Sequence, residues 1–282
     1  MSSIFSYFKI IRPLNVLLSG ITTYIASYIL NGSNNFIIAI MCCVVMIFCI
    51  IANIINDLFD YKTDQINKPH RPMISYHNIN FSYYLISIIV LLLLTLVLSY
   101  FYFNFFSHLF LILIFILIVI YTPILKGMPL LGNIAISFIL ASVFLFPAIV
   151  LNCSISNVFY PAILTFLLTL IREIIKDIAD IKGDQYANIN TLPIAFGINF
   201  SKWLISILFI ILLIVSIYPY WINIYNSIYL IFLILYVQIP LVICIFYLWK
   251  YPNSHSCVTL TITTKYITIG GVLTILSTRL FA

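Results

Sequence analysis

Acidic residues are almost absent from this chain. Seven Asp and Glu stand among 282 residues, charged residues of both signs make up only 7%, and 64% of positions are hydrophobic. Soluble domains carry charge on about a quarter of their residues, so a soluble globular protein is excluded. A secretory pattern is also missing: residues 1–12 lead into a long apolar span with no small-residue cleavage site, so that span is expected to stay in the mature protein. The six cysteines (Cys42, Cys43, Cys49, Cys153, Cys244 and Cys257) form no C-x-x-C pair and lie mostly in apolar stretches, which argues against a disulfide framework or a zinc site. Although the net charge is +6, there is no long basic run. Nucleic acid is therefore not an expected partner, whereas anionic membrane lipids or a phosphorylated ligand are. No obligate protein partner is evident.

What is present is a series of apolar runs. A helix needs about 20 apolar residues to span the hydrocarbon core, and its backbone must satisfy its own hydrogen bonds there. That length divides the chain into nine expected spans, at about 13–31, 36–55, 81–102, 107–122, 130–151, 157–176, 197–217, 226–248 and 265–281. The fold class expected is an all-α, multi-pass integral membrane protein, with nine transmembrane helices in one bundle and a single domain over residues 1–282.

Lys and Arg test this count, because they collect in cytoplasmic loops. Lys9 and Arg12 precede the first span, Lys62, Lys68 and Arg71 follow the second, and Lys126 follows the fourth. Arg172, Lys176, Lys182 and Lys202 flank the connection after the sixth, while Lys250 and Lys265 bracket that before the ninth. Intervening loops carry no charge. An N-terminus and active-site loops on the cytoplasmic side of the cell membrane follow as expectations.

All seven acids fall in two clusters, Asp57, Asp60 and Asp64, then Glu173, Asp177, Asp180 and Asp184, sharing the unit D-x-x-D-x-x-x-D. On a helix this spacing puts three carboxylates on one face, with Asn53 a turn below the first triplet and Asn56 on the adjacent stripe. Carboxylates so close repel one another and need cations. Oxygen donors favour a hard ion such as Mg²⁺, which usually bridges carboxylates to substrate phosphates. Lys68, Arg71, Lys126, Arg172 and Lys176 lie beside the clusters and suit phosphate oxygens. Both clusters are expected on one membrane face, as two acidic sites facing one another.

Lys9, Arg12, Lys202, Lys250 and Arg279 have a plainer reading as topology determinants or solvated pairs. A cation-transport function would instead predict ionisable residues near mid-span and Gly/Pro-interrupted helices in corresponding halves. The clusters lie at helix ends, so transport is the weaker alternative.

The residues also match a family. Asn56-Asp57-Leu58-Phe59-Asp60-Tyr61-Lys62-Thr63-Asp64, continued by Asn67-Lys68-Pro69-His70-Arg71-Pro72, resembles the first signature of the UbiA-type intramembrane prenyltransferases. Arg172-Glu173, Lys176-Asp177, Asp180, Gly183-Asp184 and Thr191-Leu192-Pro193 resemble the second, and Tyr121, Leu125-Lys126 and Gly132-Asn133 resemble the connecting motif. Within the family, the R-E-x-x-K-D-x-x-D-x-x-G-D form, the N-K-P-x-R-P loop and Ile11-Arg12-Pro13-Leu14-Asn15 resemble the branch of digeranylgeranylglyceryl phosphate synthases. One departure stands after Pro72, where Met73, Ile74, Ser75 and Tyr76 replace the family's usual proline followed by Ser-Gly.

The resemblance implies Mg²⁺-dependent transfer of a polyprenyl group, geranylgeranyl in that branch, from its diphosphate to a lipid-soluble acceptor. Geranylgeranylglyceryl phosphate in ether-lipid synthesis is the acceptor implied, and an aromatic acceptor of a quinone or chlorophyll-type pathway is the alternative. It places the metal ions on Asn56, Asp60, Asp64, Asp180 and Asp184, with Asp57 and Asp177 supporting them. Lys68, Arg71, Lys126, Arg172 and Lys176 grip the diphosphate. Asp60, Asp64, Asp180, Asp184 and Lys126 are the residues it makes catalytic.

Overall fold

The apolar runs fold as helices, and among the described residues no strand occurs. The computed structural model describes residues 10–69, 71 and 81–280. Lys9, His70, Pro72 and the divergent residues 73–76 lie outside the described residues.

Eleven α-helical segments are described: α1 Pro13–Ile29, α2 Asn35–Phe59, α3 Tyr61–Asn67, α4 Phe81–Tyr102, α5 Phe105–Tyr121, α6 Leu131–Val150, α7 Ser156–Tyr186, α8 Leu192–Trp221, broken by a kink at Gly197 where φ is 86°, α9 Ser227–Leu233, α10 Ile239–Lys250 and α11 Ser254–Leu280. A π-helical turn, Ile234–Gln238, joins α9 to α10. Helix starts follow local chemistry. Asn34, Asn104 and Asn226 accept first-turn backbone N–H bonds at α2, α5 and α9, and Pro13, Pro193 and Pro240 sit in first turns where no N–H is needed.

Each expected span overlaps a helix, with α9 and α10 together forming the eighth. Among the described residues seven helices are long and apolar enough to cross a membrane. The α1 and α5 helices, at 17 residues each, are shorter than those seven. Two boundaries differ most from expectation. The helix over the sixth expected span, α7, continues through its charged segment to Tyr186, and the last begins at Ser254, where Asn253 accepts the Ser256 N–H at 2.8 Å.

The chain forms two compact units, one of Met1–Leu125 with Val143–Val158 and one of Lys126–Ser142 with Phe159–Ala282. In the first, α1 packs along α2, which also meets α4 and α5. Asn104 Nδ2 donates to Ile149 O at 2.8 Å, tying the start of α5 to the end of α6. In the second unit, α11 packs against α9, the π-turn and α10. Gly270 makes this approach possible, because a Cβ there would lie 2.9 Å from the Tyr236 carbonyl oxygen. The Tyr229 hydroxyl donates to Ser216 O at 2.7 Å and Gln238 Nε2 to Ser216 Oγ at 3.1 Å, fixing α8 beside the π-turn.

Candidate active site

The first cluster stands where two helices meet. On a continuous helix Asp57, Asp60 and Asp64 would share a face, but α2 ends at Phe59 and α3 starts at Tyr61, with Asp60 as the junction at φ −80°, ψ 6°. The Thr63 hydroxyl donates to the Asp60 carbonyl at 2.8 Å, a side-chain bond of the kind that competes with the helical ladder. Backbone bonds from Asp60 N to Asn56 O and from Asp64 N to Asp60 O, each 2.9 Å, keep the chain turning across the break.

Arg71 draws the ends of the triplet together. Its Nη1 donates to Asp57 Oδ1 at 3.0 Å and also to Asp64 Oδ2. A second guanidinium, that of Arg12, donates to Asp57 Oδ1. Asp57, Asp60 and Asp64 are all buried. Asn53 secures the segment carrying Arg12, donating through Nδ2 to Ile11 O at 2.8 Å. Asn56 accepts from the Thr122 hydroxyl at 3.5 Å.

Burial pushes the Asp64 carboxyl above the usual carboxylate range, and the negative charges of Asp60 and Asp57 add to that push. Arg71 and Lys68 pull it down without restoring it. A further cation would relieve this balance.

The second cluster lies on the continuous α7. Ile171, Ile174, Ile175 and Ile178 form a buried stripe at i, i+3, i+4 and i+7, which anchors the helix by one face. Asn133, near the start of α6, donates through Nδ2 to Asp177 Oδ2 at 2.7 Å. Glu173 and Asp184 are buried. Glu173 accepts from Lys176 Nζ at 3.0 Å and lies 3.6 Å from Arg172 Nη1. Arg172 Nε is buried with no hydrogen-bond partner among the described residues, as is the Thr191 hydroxyl. Lys126 sits in a 3₁₀ turn, Leu125–Gly127, within this same unit, and Asp180 is partly exposed on α7.

Among the described residues no three His, Cys, Asp or Glu side chains are grouped so as to cage a metal by themselves. The donor set is nonetheless of the kind a hard cation uses when substrate phosphate and water supply its other ligands. The unsatisfied Arg172 donor beside Glu173 suits a phosphate oxygen.

Two contributors lay outside the residues chosen from sequence. Arg12, read there as a topology determinant, reaches Asp57, and Asn133 holds Asp177. Both stand in segments whose motif form was visible, I-R-P-L-N and G-N, but their partners are 45 and 44 positions away.

Residues 17–264 match the UbiA prenyltransferase family. The chain belongs to that family. It is 32% identical over 280 residues to the digeranylgeranylglyceryl phosphate synthase of Methanosphaera stadtmanae, covering 96% of this chain and 97% of that one. Identity is also 32% over 236 residues to the synthase of the same name from Methanothermobacter thermautotrophicus, covering 83% and 82%. A solved structure of digeranylgeranylglyceryl phosphate synthase in membranes is similar over 100% of both chains, with a TM-score of 0.75 and 28% identity. A UbiA homolog from Archaeoglobus fulgidus bound to GPP and Mg²⁺ shares the fold, with a TM-score of 0.69 at 15% identity over 96% of this chain and 99% of that one. As a UbiA-family member the chain is a prenyltransferase embedded in a membrane.

Proposed function

We propose that this UbiA-family enzyme transfers a geranylgeranyl group from geranylgeranyl diphosphate to geranylgeranylglyceryl phosphate, with Mg²⁺ as cofactor. The observation that carries the acceptor is the 32% identity, over nearly the full length of both chains, to a relative named for that product. The UbiA homolog bound to GPP and Mg²⁺ supports the cofactor by analogy of fold.

In this reading Asn56, Asp57, Asp60 and Asp64 would hold magnesium in the first cluster, and Asp177, Asp180 and Asp184 in the second. Bound there, the metal would neutralise charge that develops on the departing diphosphate as the allylic C–O bond breaks. Lys68, Arg71, Lys126, Arg172 and Lys176 bind the remaining diphosphate oxygens and orient the donor. Asn133 and Arg12 position carboxylates, each through a direct bond to its acid. The apolar helices exclude water, so the allylic cation is captured by the acceptor's hydroxyl oxygen, which forms the new ether bond as its proton passes to a carboxylate of the clusters, rather than hydrolysed.

The chain works as one domain with nine crossings, its N-terminus and acidic clusters on the cytoplasmic side of the cell membrane. The alternation of basic and uncharged loops supports that orientation.

The deciding assay offers radiolabelled geranylgeranyl diphosphate with geranylgeranylglyceryl phosphate or an aromatic acid, with and without EDTA. Label is expected in the glyceryl phosphate product alone and only with Mg²⁺. Label in the aromatic product alone would overturn the acceptor, and product formed in EDTA would overturn the cofactor.

A further inference from the structure

Lys202 is buried in a membrane-facing aromatic frame without an acid to balance it. Only 6% of the residue is exposed. Among the described residues its ammonium makes no ion pair, and its contact is the face of Trp249, 4.5 Å from the ring centroid. The ring is held in place, because Trp249 Nε1 donates to Ser206 Oγ at 3.0 Å and Ser206 Oγ donates to the Lys202 carbonyl at 3.0 Å. Trp203 packs edge-on against Trp249 with centroids 5.1 Å apart. The frame thus joins α8 to the end of α10, both within the second unit.

A topology lysine snorkels into water and stays mobile. Here the ammonium lies against the Trp249 ring instead, and a buried charge needs a counter-charge. All seven acids of the chain lie in the two clusters, and none is within ion-pair distance of Lys202 among the described residues. Lys250 follows Trp249 directly and adds a second positive charge at the same helix end. Trp203 is 61% exposed at the edge of an apolar helix, as tryptophans at a lipid headgroup level are.

We infer that Lys202 and Lys250 bind the phosphate of an anionic membrane lipid, with Trp249 holding the Lys202 ammonium in place. The lipid phosphate supplies the missing negative charge, and its acyl chains lie along the apolar faces of α8 and α10. The inference is independent of which acceptor the enzyme prenylates.

Two of the three tryptophans belong to this site, which provides the readout. The full chain carrying Trp221→Phe is placed in phosphatidylcholine nanodiscs containing brominated phosphatidylglycerol or brominated phosphatidylcholine. Quenching by the anionic lipid is expected at about five-fold lower concentration, the effect of one lysine at an anionic surface. Lys202→Gln should remove that preference and Lys202→Arg should keep it. Equal quenching by both lipids, or a preference unchanged in Lys202→Gln, would overturn the site. Displacement of the quenching lipid by inorganic phosphate would overturn the lipid as occupant. Should Lys202→Gln fail to fold, the comparison of the two lipids on the otherwise unaltered chain still decides.

Discussion

The Arg12 guanidinium donates to Asp57 Oδ1 across 45 positions of sequence. It approaches from the residue before α1, at φ 55° and ψ 67°, a left-handed conformation that few non-glycine residues adopt. The buried Asp57 also accepts from Arg71, so one carboxylate joins the chain's start to the loop after α3. Strain is tolerated where surrounding contacts over-determine it, and here the Asn53 bond to Ile11 O supplies the second anchor.

This pair should be energetically coupled. Arg12→Ala is expected to destabilise the detergent-solubilised protein by about 1–3 kcal/mol, less than for a fully isolated buried pair because Arg71 remains. In a double-mutant cycle with Asp57→Asn, thermal melts should show a coupling of roughly 1–2 kcal/mol. Strict additivity would mean that the contact contributes nothing.

The metal assignment predicts a different behaviour for Asp60 and Asp180. Replacing either with Ala should lower prenyl transfer by on the order of a hundred-fold or more while the protein still inserts and melts cooperatively. Radiolabelled donor turnover measures the first part, and size-exclusion elution with a thermal melt measures the second. Substantial residual activity in both variants would refute the assignment.

Asn133→Ala removes the 2.7 Å donor to Asp177 without touching an acid. Turnover at saturating donor should fall roughly 10–100-fold, as for other loss of a group that orients a ligand side chain. Asn133→Asp, which sets a carboxylate against a carboxylate, should be worse. Equal activity of Asn133→Ala and the unaltered enzyme would remove Asn133 from the site.

Neighbouring glycines in α11 should respond oppositely. Gly270→Ala forces a methyl to within 2.9 Å of backbone at Tyr236 and should cost about 1–3 kcal/mol. At Gly271 the nearest atom is 3.9 Å away, so Gly271→Ala should be neutral or stabilise by up to about 1 kcal/mol through helix propensity. Melting temperatures of the two variants, ranked against the unaltered chain, check this.

Helices, membrane embedding and the two acid clusters were legible before any coordinates, because they rest on local quantities. Transfer energy of an apolar run and the 3.6-residue period need no knowledge of distant chain. The break at Asp60 was not legible, since a regular D-x-x-D-x-x-x-D spacing reads as one helix and a single Thr63 hydroxyl bond contends with that pattern. Nor could spacing separate Arg12, which grips Asp57, from a topology lysine or arginine.

The order of residues thus fixes which segments cross apolar lipid, where the charges collect and which family motifs are carried. Packing assigns each charge its partner: Arg71 between Asp57 and Asp64, Asn133 on Asp177, Lys202 beneath Trp249. Hydrophobic burial is nearly additive along a chain, whereas an ion pair or a hydrogen bond exists only within a few ångströms, and helix packing sets those distances.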